Sequence, residues 1–198
     1  MTDWQQYYAS GNTPWDRGGP APPLLQWLET HRLHGRMLVP GCGTGHDLVA
    51  LAGSGASQVL GLDIAPGGVA AATERTAALP QVSVMEGDLF TFAHDQGREQ
   101  FDWVFEHTCF CAIPRERRDD YVSAVASALK PGGSLLAIFY LHPWDAGEDQ
   151  EQGPPFRSEV SELDQRFGAS FTLLDSYVPT ASYPGREGKE LVRLLRRR

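Results

Sequence analysis

The stretch VPGCGTGHD, residues 39–47, decides the fold. Its three glycines, Gly41, Gly43 and Gly45, follow a short apolar run from Met37 to Val39 and precede HDLVALAGSG, whose apolar residues recur at helical spacing. A strand, a glycine turn and a helix in that order bring backbone amides and the positive end of a helix up to a ligand. Outward from this unit the alternation repeats. QVLGLDI reads as a buried strand, Pro66 to Ala78 as a helix, and QVSVMEGD and FDWVFE as further strands. A helix from about Arg115 to Leu129, closed by KPGG, leads into the strand SLLAIFY. Parallel neighbours need a crossover, and a helix covers the sheet face while making it. The expectation is therefore a three-layer α/β sandwich, Rossmann-like, with a mostly parallel seven-stranded sheet.

Both ends of the chain depart from the alternation. Residues 1–23 carry Trp4, Tyr7, Tyr8 and Trp15 among polar residues and then the break GGPAPP, which reads as an aromatic-rich arm. Leu24, Leu25, Trp27 and Leu28 follow with an apolar helical face. From Leu141 to Phe156 the chain turns polar and rich in Gly and Pro, the composition of a lid-like loop. A helix near Ser158 to Phe167 precedes the strands FTLLDSYV and KELVRLL, whose short connection fits an antiparallel pair at the sheet edge. The whole chain, 198 residues, is expected to form one domain.

Composition narrows the partners. A net charge of −8 opposes a phosphate-backbone footprint, so nucleic acid is not expected. The chain shows neither a transmembrane run nor a signal peptide, which predicts a cytoplasmic protein without membrane contact, read as a monomer. Cys42, Cys109 and Cys111 give no four-ligand metal spacing, so reduced thiols and no metal are expected. Cys109 and Cys111, two apart, would share one face of a strand and are read as packing residues.

Around the turn, Asp63 closes the second strand, where a carboxylate can accept hydrogen bonds from both hydroxyls of a ribose. The same residue, just before Pro66, also suits a turn or a helix cap. Asp88 and Leu89, closing the third strand, suit the amino group and face of an adenine, with a turn aspartate as the plainer alternative. A nicotinamide enzyme shares most of this, but its GxGxxG pattern wants glycine where His46 stands.

The segments NTPWDRGGPAP, VPGCGTGHDL, GLDI, GDLF, FDWVFEHTCFCAIPRERR, GPPF and YPGREGKE span nearly the whole chain. Together they resemble the thiopurine S-methyltransferase superfamily, and within it the branch of halide, thiocyanate and thiol methyltransferases. The resemblance implies a class I fold that binds S-adenosylmethionine and releases S-adenosylhomocysteine. It implies cofactor contacts at Trp4, Tyr8, Trp15, Gly41, Cys42, Gly43, Asp63, Ile64, Asp88, Leu89, Glu106 and His107. Tyr140 matches a tyrosine that faces the transferred methyl in relatives, and Tyr140 and His107 are the implied catalytic residues. His107 departs from the Tyr or Arg that relatives carry. The implied reaction is in-line methyl transfer to a small thiol or anion: bisulfide, a simple thiol, thiocyanate or a halide. Larger thiols such as thiopurines, metalloids, an NAD-linked reduction and a silent binding domain remain as rivals.

Overall fold

A computed structural model describes residues 2–144 and 153–198. Seven strands form one sheet in the order β3-β2-β1-β4-β5-β7-β6. They are β1 (Arg36–Pro40), β2 (Gln58–Asp63), β3 (Val82–Glu86), β4 (Phe101–His107), β5 (Leu129–Tyr140), β6 (Phe171–Tyr177) and β7 (Glu190–Arg197). β1 to β5 pair in parallel, and β7 runs antiparallel between β5 and β6. The expected antiparallel pair therefore exists, with β7 on its inner side and β6 at the edge.

The three layers follow from the alternation of side chains along each strand. Leu38, Leu62, Val104, Leu135, Ala137 and Phe139 point to one face. There they meet α5 (Leu89–His94), α6 (Arg118–Ala128) and α7 (Val160–Phe167). Met37, Val39, Val59, Phe105, Leu136 and Ile138 point to the other, against α2 (Pro22–Thr30), α3 (His46–Ala52) and α4 (Pro66–Thr76). No helix among the described residues is long and apolar enough to cross a membrane.

Three local expectations need correction. The arm contains a helix, α1 (Trp4–Ser10), because Asp3 accepts the Gln6 N–H at its start and Gly11 closes it with a φ of 69°. KPGG does not close a helix: α6 ends at Ala128, and these residues lie inside β5 at a register shift against β4. Cys109 and Cys111 lie past the end of β4, where a 3-10 turn (Phe110–Ala112) follows, so their spacing is not that of a strand. The lid-like loop expected over 141–156 lies largely outside the described residues, since 145–152 are not among them.

The register brings the carboxyl ends of the strands level, with Pro40 opposite Leu62 and Asp63 opposite Glu86. The chain reverses its order of strands between β1 and β4, the switch point outside which open α/β sheets receive ligands.

Candidate functional site

A cavity of about 870 Å³ opens along that edge, within the ~300–1,000 Å³ typical of small-molecule sites. Gly41, Asp63, Asp88, Thr108 and Tyr140 line it, and each ends or follows one of the strands β1 to β5. The arm covers it with Trp4, Tyr7, Tyr8 and Trp15.

The glycines of the turn divide their work. Gly41 and Gly43 line the cavity with φ of 60° and 56°, a backbone that L side chains rarely adopt. Gly45 instead faces α4, where a side chain would meet Ala72 at 3.0 Å, so it serves helix packing. Cys42 is turned the same way: its sulfur packs against Gly61, and it does not line the cavity.

Asp63 ties the turn to the second strand. One carboxylate oxygen accepts the Gly43 N–H at 2.8 Å and the other the Ala65 N–H at 2.9 Å. Each oxygen keeps a further lone pair. Burial raises its carboxyl above the usual range, against the pull of these amides. Asp88 lines the cavity and also caps α5, accepting the Phe90 N–H at 2.8 Å. Leu89 lies beside it, and Ile64 lines the wall while 46% exposed, an apolar surface left uncovered at the rim.

The arm docks as an aromatic cluster. Trp15 sits at 5.3 Å from Trp4 and from Tyr7 and at 5.8 Å from Tyr8, each edge to face. Tyr8 lies over Gly67 and Gly68 at the start of α4, where any side chain would collide with it, and Gln5 accepts the Gly67 N–H at 2.7 Å. The Gly-Gly pair is a sequence signal for this seat that the pattern of strands and helices does not reveal.

Glu106 and His107, both expected at the cofactor, do not line the cavity. They are the last two residues of β4 and still alternate between sheet faces, whereas Thr108, the first residue beyond the strand, lines the cavity. Thr108 is also a β-branched residue at a φ of 60°, a strained backbone held at the mouth of β4. Glu106 turns inward, accepting the Tyr121 O–H at 2.7 Å and the Phe110 N–H at 3.0 Å, and so fixes the turn below the cavity floor. His107 faces α3, with Nδ1 at 2.9 Å from Asp47 Oδ2, and its Nε2 lies 3.4 Å from Arg186 Nη1. Asp47 accepts and a guanidinium can only donate, an arrangement that suits a His107 ring with its proton on Nδ1 and its lone pair on Nε2.

Burial pushes the Glu106 carboxyl up to about 6 from 4.5, and the Tyr121 and Phe110 donors limit the rise. The folded chain thus binds this proton more tightly than the unfolded chain. The stability it contributes is complete below about 4.5 and is lost as pH rises through about 6. Glu106→Gln, which does not titrate, is expected to gain on the wild type by up to ~2 kcal/mol between acid and neutral pH. Thermal melts of both proteins across that range check this; parallel curves would contradict it.

Burial likewise raises the Cys111 thiol to about 12 and keeps Cys109 and Tyr121 protonated. Tyr140 lines the far end of the cavity, with its hydroxyl proton held more tightly than usual by burial. Arg186, which no strand or helix pattern singled out, lies 4.5 Å over the Tyr140 ring and 5.5 Å from that of Tyr183. It stands in the connection between β6 and β7, lines the cavity and is only 6% exposed. Ile113, Pro114, Trp144, Pro154 and Pro155 wall the cavity with apolar surface. The Trp144 indole N–H donates to the Pro155 carbonyl at 2.9 Å. Among the described residues no group of three or more His, Cys, Asp or Glu could hold a metal ion.

Comparison with known proteins matches this architecture. The family described as Thiopurine S-methyltransferase (TPMT) matches residues 1–193. A probable thiol methyltransferase 2 of Arabidopsis thaliana is 38% identical over 166 residues, covering 82% of this chain and 70% of its own length. Thiocyanate methyltransferase 1 of the same plant is 34% identical over 192 residues, covering 94% and 81%. Among solved structures, the Burkholderia thailandensis 1,6-didemethyltoxoflavin-N1-methyltransferase, with bound 1,6-didemethyltoxoflavin and S-adenosylhomocysteine, superposes with a TM-score of 0.74. It shares 18% identity, and the match covers 98% of this chain and 85% of that one, a likeness of fold.

Proposed function

From the premise that this chain belongs to the thiopurine S-methyltransferase family, we propose that it methylates a small thiolate or inorganic anion with S-adenosylmethionine. The observation that carries the acceptor half is Arg186, a nearly buried guanidinium stacked on Tyr140, with Glu190 at 3.4 Å as its counter-ion, in a cavity that Ile113, Pro114 and Trp144 also line. A cation so placed favours an ionised sulfur or a halide over a neutral molecule.

The donor set fits the cofactor. Asp63 retains lone pairs for two ribose hydroxyls beyond the backbone donors it already serves. Ile64 and Leu89 offer apolar faces beside the Asp88 carboxylate, which suits a purine and its amino group. The rings of Trp4, Tyr8 and Trp15 suit a sulfonium, whose charge attracts aromatic faces. A dinucleotide fits less well, because its pyrophosphate asks for a third glycine where His46 opens α3. When bound, S-adenosylmethionine supplies a methyl on cationic sulfur; the acceptor's lone pair takes it in line, and the breaking bond's electrons return to S-adenosylhomocysteine.

The chain's own residues then need to bind, orient and exclude water. Positioning of this kind is worth up to ~7–11 kcal/mol in favourable cases. No base is required of the protein when the acceptor arrives as an anion, which agrees with the engaged lone pair of His107 and the protonated thiols of Cys109 and Cys111. The Tyr140 hydroxyl serves as a hydrogen-bond donor to the acceptor. Tyr140→Phe is expected to slow turnover about two- to tenfold, the worth of one hydrogen bond, with unchanged affinity for S-adenosylhomocysteine. A full-rate variant would leave Tyr140 as packing.

The apolar wall favours a second reading within the same chemistry, a thiol with an apolar body resting on Ile113, Pro114 and Trp144. A parallel assay separates the two, offering bisulfide, methanethiol, thiocyanate, iodide, bromide and thiophenol and detecting the methylated products. Preference for the inorganic anions supports the first reading and preference for thiophenol the second; turnover of none would sink both.

A further inference from the structure

Behind the acceptor end, four polar groups form a chain that the reaction itself does not use. Asp47, in the first turn of α3, divides its carboxylate: Oδ1 accepts the Ala21 N–H at 2.7 Å, and Oδ2 meets His107 Nδ1 at 2.9 Å. His107 Nε2 in turn receives Arg186 Nη1 at 3.4 Å, and the same nitrogen lies 3.4 Å from Glu190 Oε1. Ala21 is where the arm joins α2. Two further hydrogen bonds clamp the arm to the turn that carries Arg186: Arg17 donates to the Pro184 carbonyl at 3.1 Å, and the Tyr183 hydroxyl to the Gly19 carbonyl at 2.5 Å.

We propose that Asp47 and His107 are positioning residues that hold Arg186 at the acceptor end of the cavity and link it to the docked arm. The inference rests on the acceptor role given to Arg186 above. Arg186 has only donors and Asp47 only acceptors, so between them they demand a neutral imidazole with its proton on Nδ1 and its lone pair on Nε2. Histidine meets that demand in one ring. The ring is further fixed by Tyr183, stacked at 6.1 Å, and by Phe105 at 6.4 Å. Glu190, only 1% exposed, has a second oxygen, Oε2, buried without a hydrogen-bond partner among the described residues, so the carboxylate behind Arg186 directs its charge at the guanidinium. One carboxylate, Asp47, thus touches both the segment that covers the cofactor and the ring that sets the acceptor cation. Docking of the arm and placement of Arg186 are therefore coupled.

Four variants test this. His107→Phe keeps the ring packing and loses both hydrogen bonds. It is expected to lower kcat/KM for thiocyanate and bisulfide by about tenfold, mostly through KM, the scale of one hydrogen bond to a charged group. Its affinity for S-adenosylhomocysteine, measured by calorimetry, should stay that of the wild type. His107→Gln, whose amide can donate to Asp47 and accept from Arg186, should restore most of the loss. Asp47→Asn, with one oxygen for two donors, should resemble His107→Phe. Nitrogen-15 spectra of histidine-labelled protein, assigned by difference from His107→Gln, give a readout independent of turnover: His107 should show protonated Nδ1 and unprotonated Nε2. The opposite tautomer would overturn the inference. So would wild-type acceptor kinetics in His107→Phe, or an equal loss of cofactor affinity. Arg186→Met separates the two levels of the reading. If it leaves acceptor kinetics intact, the acceptor role of Arg186 falls and the inference with it; if it impairs them while His107→Phe does not, only the inference falls.

Discussion

Arg118→Met is expected to destabilise the chain by about 3 kcal/mol, the lower end of the ~3–5 kcal/mol for breaking a buried ion pair. Arg118 is fully buried. Its Nη1 donates to both oxygens of Glu162 at 2.9 and 2.8 Å and to the Arg157 carbonyl at 3.2 Å, and Nη2 donates to the Phe156 carbonyl at 3.1 Å. The guanidinium also lies 4.6 Å over the Phe110 ring. Methionine fills much of the volume but gives no hydrogen bond to the Phe156 and Arg157 carbonyls. Glu162 retains Arg166 at 2.9 Å and some contact with water, which is why the lower figure applies. For a chain of this size the loss corresponds to a fall in Tm of about 6–12 °C. The consequence reaches the site, because Arg118 pins the backbone just after Pro154 and Pro155 and the Phe156 N–H donates to the Cys111 carbonyl at 2.6 Å. A melting temperature within about 2 °C of the wild type, less than 1 kcal/mol, would show that the clasp contributes little.

Asp63→Ala is expected to weaken S-adenosylhomocysteine binding about 10- to 150-fold, the equivalent of ~1.5–3 kcal/mol for hydrogen bonds to a charged acceptor. Two losses combine. The proposed ribose contact loses its carboxylate, and the Gly43 and Ala65 amides, held at 2.8 and 2.9 Å, lose the group that fixes the turn. Asp63→Asn separates them in part: its single oxygen serves only one side of the carboxylate's present work, so its affinity should fall between the other two. Calorimetry on the three proteins measures this, and unchanged affinity in the alanine variant would remove Asp63 from the site.

Much of this was legible in the sequence, for identifiable reasons. Local periodicity marked the parallel strands and their helices, because a strand buried on both faces and a helix with one apolar stripe leave different patterns. Glycine turn, Asp63 and Asp88 were legible because ligands in such sheets meet the ends of strands. Strand order was not: the insertion of β7 between β5 and β6 is a long-range choice that no local pattern records. α5 was missed because its six residues sit directly behind a capping aspartate that reads as a turn. Glu106 and His107 were expected at the site by resemblance alone; the period of two in FDWVFEH gives them the sheet faces of Val104 and Phe105, and they do not line the cavity. Arg186 lies in a connection without periodicity, and its YPGREGKE segment carried a family signal but no physical one. Only the fold brings it beside Tyr140.

The most direct test of the account uses S-adenosylmethionine bearing a trideuterated methyl group, incubated with the protein and the panel of thiols and anions. The expected result is a methylated acceptor that retains all three deuterium atoms, together with one S-adenosylhomocysteine per methyl transferred. No product from any acceptor, or binding of NAD in place of S-adenosylhomocysteine, would contradict it.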